Sequence, residues 1–428
     1  MSRWPLPAGD YRLTGARVPA ALCDAGPAPD AEGLRLMDLW VTGGRLALDG
    51  PPDAPAVDLA GAIVFPGFVD CHTHLDKGHI WPRRPNPDGS FMGALTSVRE
   101  DRRASWSAED VAARMDFALR CALAHGTVAI RTHIDCDGPQ TAISWGVFRE
   151  MREEWRGRID LQAACLTSIE QVGTEEWPGI VAETARSGGV LGTVAYPVPD
   201  LDARLDRFFA DAAANGLGAD FHADETLDPA SRTLRAIAEA KRRNGFDGPV
   251  LAGHCCSLAT QPEEEATETI ARVAEDGIDV VSLALCNLYL QDRGAARTPR
   301  FRGVTLVHEL KAAGVRVAFA SDNTRDPFYA YGDLDMAEVL REATRIVHLD
   351  HPFGDWPAAF ARKPAAIMGI DRGVIAGGAP ADLVVFPARR WTELLSRPQS
   401  DRLVIRNGRA LDATPPDYAE LDPFVEPK

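Results

Sequence analysis

The sequence predicts an α/β chain: a (β/α)8 TIM barrel with a small β-sandwich domain formed from both chain ends. Three observations carry this. Between residues 62 and 370, eight short apolar runs of strand character alternate with amphipathic helical stretches, the pattern of a parallel barrel. Both ends of the chain hold short strands punctuated by glycine-containing turns. A length of 428 residues suits two to three domains of ~150 residues or one large barrel with an appendage. The eight central strands select the barrel.

In chain order, YRLTGARV and LRLMDLWVTGGRLALDG open as strands, the second folding into two around Gly43-Gly44. The eight barrel strands are expected at residues 63–74, 126–135, 160–168, 190–196, 217–225, 249–256, 279–287 and 316–323. Helical periodicity lies between them, as at 109–126 and 271–277. The C-terminal end returns to strands at 381–388 and 402–411, where Asn407-Gly408 is a hairpin signal. Residues 1–61 plus 373–428 are therefore expected to form one composite β-sandwich, and residues 62–372 the catalytic barrel.

Composition narrows the function. Lys and Arg total 46 against 62 Asp and Glu, a net charge of −16. That argues against a nucleic-acid partner and against an anionic membrane surface. No run of 18 uncharged apolar residues is present, so no membrane span is expected. The N-terminal MSRWPLPAGDYRL lacks an apolar signal core, which predicts a cytoplasmic protein. The eight cysteines show no CxxC spacing, so buried, reduced thiols are expected.

Five of the ten histidines fall at the ends of predicted strands: His72 and His74 on the first, His133 on the second, His222 on the fifth and His254 on the sixth. Asp322 has the same place on the eighth. In a barrel these ends converge on the face where barrel enzymes work. Residues i and i+2 on a strand point to one side, so His72 and His74 offer two imidazoles to one cation. Imidazole and carboxylate together suit zinc or iron, and the sequence does not choose between them. Asp322 opposite the pair is a further ligand, and it also reads as a helix N-cap. Glu225, three residues past His222, suits a proton carrier close to the metal but not on it. No lysine stands at the end of strand three or four, so one divalent ion is the simpler account. His125, His308, His348 and His351 read as structural or exposed. His79 is left open. His133 reads equally as a pocket residue paired with Asp135 or as a satisfied buried one.

Taken in order, FVDCHTHLDK (68–77), RTHIDCD (131–137), FHADE (221–225), GHCCS (253–257), CNLYLQDR (286–293) and SDNTRDPFYAYG (321–332) resemble the amidohydrolase superfamily, and within it the cytosine deaminase group. GGAPADLVVF and IRNGR match that family's closing sandwich. The resemblance implies one metal held by His72, His74, His222 and Asp322. It implies Glu225 as proton shuttle to the ring nitrogen and His254 as the group that orients the attacking oxygen. Asp322 then takes the water's proton and passes it to the departing amine. The pocket departs from the group. Ser168 stands where cytosine deaminases carry a Gln, Asn323 follows the metal Asp where a second Asp is usual, and Phe328 replaces a Trp. SDN and the HxHxDK run are also similar to isopropylammelide-type triazine amidohydrolases. Edge-reading positions set substrate choice, so the ring expected is cytosine-like, isoguanine, a pterin or a triazine.

The reading is a metal-dependent hydrolytic deaminase that removes an exocyclic amine from a nitrogen heterocycle and releases ammonia. Phe328, Trp81 and Phe91 are expected to wall the ring, with Ser168, Gln291 and Asn323 as further substrate contacts. One alternative is a hydrolase of an N-alkylamino ring or a cyclic amide. Another is a catalytically inactive barrel serving as a binding or assembly protein. The expected partner is a small heterocycle. Barrels of this type often associate, so a homo-oligomer is compatible with the sequence, which does not fix the state.

Overall fold

Strand β1 (Tyr11–Pro19) buries alternate side chains and pairs antiparallel with β2 (Leu34–Thr42), with a bulge between Leu13 and Ala16. Gly43 and Gly44, at φ 56° and 78°, turn the chain into β3 (Arg45–Ala47). Such a turn needs positive φ at both positions, which glycine adopts at little cost. β4 (Ala56–Asp58) and β5 (Ile63–Pro66) then lie parallel to β1. These features belong to a computed structural model that describes residues 3–412 and 414–425. Residues 1–2, 413 and 426–428 of the predicted sandwich lie outside the described residues.

Eight strands follow in the barrel: β6 (Phe68–Thr73), β7 (Thr127–Asp135), β8 (Asp160–Leu166), β9 (Leu191–Ala195), β10 (Ala219–Ala223), β11 (Val250–His254), β12 (Ile278–Ser282) and β13 (Val317–Phe319). Hydrogen bonding runs in the order β6-β7-β8 and β9-β10-β11-β12-β13. Bridges Ala164↔Val190 and Ser168↔Val194 join β8 to β9, and the parallel bridge Thr73↔Asp322 closes the ring between β13 and β6. Every residue of β6, β7, β10 and β11 is buried, as parallel strands covered on both faces require. The chain ends with β14 (Leu383–Phe386), β15 (Leu403–Arg406) and β16 (Arg409–Ala410), the last two joined through Asn407 and Gly408 at φ 47° and 75°.

Strands from the two ends make one hydrogen-bonded path, β16-β15-β14-β5-β1-β2-β3, with β4 alongside β1. Its core takes side chains from both ends, among them Leu13, Leu39, Val64, Leu383 and Ile405. Contacts divide the chain into two compact units. One holds the described residues up to Asp70 with Arg120–Ala129 and Asp335–Pro416. The other holds Cys71–Leu119, Ile130–Leu334 and the described residues from Asp417.

Two strand expectations need correction. The run 63–74 is two strands, β5 and β6, separated at Gly67, where a Cβ would lie 2.1 Å from Val128 Cγ1. The run 279–287 is a strand only to Ser282, and a helix, Ala284–Leu290, begins at once. All eight cysteines are free and buried. No helix among the described residues is long and apolar enough to cross a membrane.

Candidate active site

The C-terminal ends of the barrel strands bring His72, His74, His222, His254 and Asp322 together. Asp322 Oδ1 lies 3.1 Å from His74 Nε2 and 3.5 Å from His72 Nε2. His222 Nε2 lies 3.3 Å from His74 Nε2. Ligand atoms held at ~2.0–2.1 Å around one ion sit roughly 3.3–3.4 Å apart, and these three separations are of that size. Burial holds His72, His74 and His222 well below pKa 6.5, reinforced by neighbouring cations and imidazoles. The rings are therefore neutral, with lone pairs to donate. Both ring nitrogens of His72 are buried and lack a hydrogen-bond partner within the protein. The donor set thus fits one divalent cation.

His133 is close enough to join the cluster, but its nitrogens are engaged. Nε2 faces Asp220 Oδ1 at 3.1 Å and Nδ1 faces the Thr73 carbonyl at 3.3 Å. It is a satisfied buried residue, and its partner is Asp220 rather than Asp135. His79 is also settled: it is buried against Phe117 and Tyr418 and does not line the cavity. Nor do His125, His308, His348 and His351. The N-cap reading of Asp322 fails, because the residue bridges to Thr73 and the next helix, Met336–Val347, is capped by Asp335.

Three site residues adopt left-handed backbone: Asp224 at φ 51°, His254 at φ 67° and Asp322 at φ 66°. Such strain in residues other than glycine persists only where surrounding structure over-determines it. At Asp224 the restraint is visible. Its carboxylate accepts from Ser231 Oγ, Thr233 N, Thr233 Oγ1 and Leu234 N at 2.6–2.9 Å. That anchors the loop which carries Glu225. Burial, and after it the Asp322 charge, raises Glu225 well above the usual carboxylate range. Its Oε1 lies 3.4 Å from His254 Nδ1. Asn287 Nδ2 also meets His254 Nδ1, at 3.0 Å. His254 Nε2 is buried without a protein partner.

His74, His222, Asp224, Glu225 and His254 line a cavity of about 930 Å³. Phe328 and Phe91 meet in it with ring centroids 5.5 Å apart. Trp81, expected beside them, is not among the lining residues. Ser168 Oγ is 2.7 Å from Tyr196 OH, which donates to Glu170 at 2.6 Å. Asn323 Nδ2 donates to Asp326 at 2.7 Å, and Gln291 Nε2 donates to the Glu225 carbonyl at 3.1 Å. Ser168, Gln291, Asn323 and Phe328 all line the cavity. Residues the sequence reading missed are Lys77, Tyr196, Asp220, Asp224 and Asn287. Only Lys77 had a local signal, standing three residues after His74.

Comparison with known proteins bears on this cavity. A model of the amidohydrolase family matches residues 56–142 and 107–412. A pterin deaminase of Rhizobium rhizogenes is 53% identical over 98% of this chain and 98% of its own. The crystal structure of 5-methylcytosine deaminase from Klebsiella pneumoniae with 5-fluorocytosine superposes with a TM-score of 0.78, at 25% identity, over 95% of this chain and 98% of that one. N-isopropylammelide isopropylaminohydrolase from Burkholderia multivorans gives 0.72 at 27% identity, over 94% and 98%.

Proposed function

The chain belongs to the amidohydrolase family, whose enzymes are metal-dependent, and acts as a hydrolytic deaminase of nitrogen heterocycles; from that premise we propose that its substrate is a pterin. The observation that carries the choice of ring is the 53% identity to a pterin deaminase along nearly the whole of both chains. The cavity supports it. A volume of about 930 Å³ lies near the top of the ~300–1,000 Å³ range of ligand pockets, and it leaves room for a bicyclic ring.

His72, His74, His222 and Asp322 would hold one divalent ion, zinc or iron. When bound, such an ion would lower the pKa of a water to ~7 and so supply a nucleophile at neutral pH. The protein's own groups do the rest. Phe91 and Phe328, which touch each other edge to face, would form one wall of the pocket for the ring. Glu225, held protonated by burial, delivers its proton to the ring nitrogen beside that carbon. His254, its Nδ1 fixed by Asn287, directs Nε2 at the oxygen that gains charge. Asp322 accepts the water's proton at a carboxylate oxygen and passes it to the amine, which leaves as ammonia. The water's oxygen bonds to the amine-bearing carbon as the carbon–amine bond breaks, its second proton returns to Glu225, and the pterin becomes its 2-oxo counterpart.

The test is ammonia release from pterin, cytosine and N-isopropylammelide under identical conditions. The highest kcat/KM is expected with pterin. A higher value with either of the others removes the proposal. Release of an alkylamine instead of ammonia would favour the N-alkyl reading.

A further inference from the structure

Lys77 places a cation inside the catalytic cavity that the chemistry above does not use. It is 5% exposed, yet it lines the cavity. Its Nζ lies 2.8 Å from Asp135 Oδ1 and 5.6 Å from the centroid of the Phe328 ring. Burying an ammonium is costly unless its N–H groups are used. Lys77 also faces the buried Asp76 and Asp326 carboxylates, while Arg102 Nη1 meets Asp135 Oδ2 at 2.9 Å and gives Asp135 a second cation. Asp135 occupies one of the three N–H directions of the ammonium. A heterocycle laid along Phe328 would therefore have the Lys77 ammonium beside it. Flat heterocycles present their acceptors in the ring plane. In a pterin, the strongest acceptor near the reacting carbon is the oxo group at position 4, one ring nitrogen away from the amine-bearing carbon.

We propose that Lys77 is a substrate-contacting specificity residue whose ammonium donates to the ring oxo group, so that the site selects 2-amino-4-oxo heterocycles over 2-amino rings lacking the oxo group. The inference rests on the pterin reading above. It adds a residue and a chemical criterion: the oxo group is read by a charged donor rather than by a side-chain amide. A charged donor accepts any ring that places an oxo oxygen there and discriminates strongly against one that leaves the ammonium unpaired.

The experiment compares wild type with Lys77→Met on pterin and on 2-aminopteridine, which lacks the oxo group. The quantity read is the ratio of the two kcat/KM values within one preparation, which is independent of the fraction of active enzyme. Where 2-aminopteridine turns over too slowly, its competitive inhibition constant against pterin KM takes its place. The ratio is expected to fall roughly 10- to 100-fold in the variant, the size of a hydrogen bond to a charged group. Lys77→Gln, which keeps a neutral donor, should fall between the two and carries the test if the Met variant does not fold. A ratio unchanged in the folded variant, with both rates lowered equally, makes Lys77 merely structural and overturns the inference. Wild type that releases no ammonia from pterin overturns the substrate reading first, a separate and earlier failure.

Discussion

Burial, and after it the Asp322 charge, pushes Glu225 above the usual carboxylate range, as the proton delivery proposed for it requires. Glu225→Gln keeps the shape and loses the transferable proton. Its kcat on pterin should fall roughly 10²- to 10⁴-fold, the usual contribution of a positioned acid or base, with bound metal per chain unchanged by elemental analysis. An unaffected kcat would assign the proton transfer elsewhere. His79 makes a different prediction. Burial lowers its pKa to about 3, against ~6.5 in the unfolded chain. A depressed pKa leaves stability intact above pH 6.5 and removes it as pH falls toward 3, because only the unfolded chain takes up the proton. At pH 5 the loss is about 2 kcal/mol. Urea unfolding of wild type and His79→Phe at pH 7.5 and pH 5 should show the wild type losing about that much more. Equal losses would contradict the neutral buried imidazole. The residues that the structure gathers at the strand ends were conspicuous in the sequence because chemistry marks them: a His-x-His pair, and a Glu three residues past a strand-end His. It did not disclose Asn287, Asp220 or Asp224, whose partners are distant in sequence or local only through a turn. Nor did it decide His133, since RTHID puts Asp135 nearer in sequence than the partner found, Asp220.

Among the elements, the strands were legible as short apolar runs, but their ends were not. Residues 63–69 carry no polar side chain, and only Gly67, pressed against Val128, marks where one strand stops and the next begins. In VVSLALCNLYL nothing polar separates strand from helix, and apolar periodicity alone does not distinguish a buried strand from a buried helix. Gly192 shows how tightly the barrel is drawn. A Cβ there would stand 2.2 Å from the Cys165 carbonyl oxygen and 3.0 Å from that of Asp220. Both are backbone atoms of the neighbouring strands β8 and β10, so neither can swing away. Gly192→Ala should cost roughly 3 kcal/mol or more, the upper range of overpacking. Gly146→Ala is the control, since the nearest atom its Cβ meets is an Arg149 side-chain nitrogen at 3.9 Å, and it lies within the helix Gln140–Glu154. It should be neutral or stabilising. A Gly192 variant as stable as wild type in thermal unfolding would mean the strands can part.

For the whole molecule, the order of the motifs along the chain mattered more than any one of them. It disclosed a barrel with a sheet built from both ends, and a reaction class. The ring was less legible, because the residues lining the cavity lie on different strands and loops: Ser168 with Tyr196, Phe328 with Phe91, Lys77 with Asp135. The net charge of −16 says little about the substrate, since the cavity gathers lysine and arginine beside its carboxylates and its donor set suits a dication. The most direct test is a titration. Protein stripped of metal is given zinc in steps, and ammonia release from pterin is followed at each. The account predicts no turnover without metal and a linear rise that ends at one ion per chain. Full turnover by the stripped protein, or no ammonia from pterin once the site is filled, would contradict it.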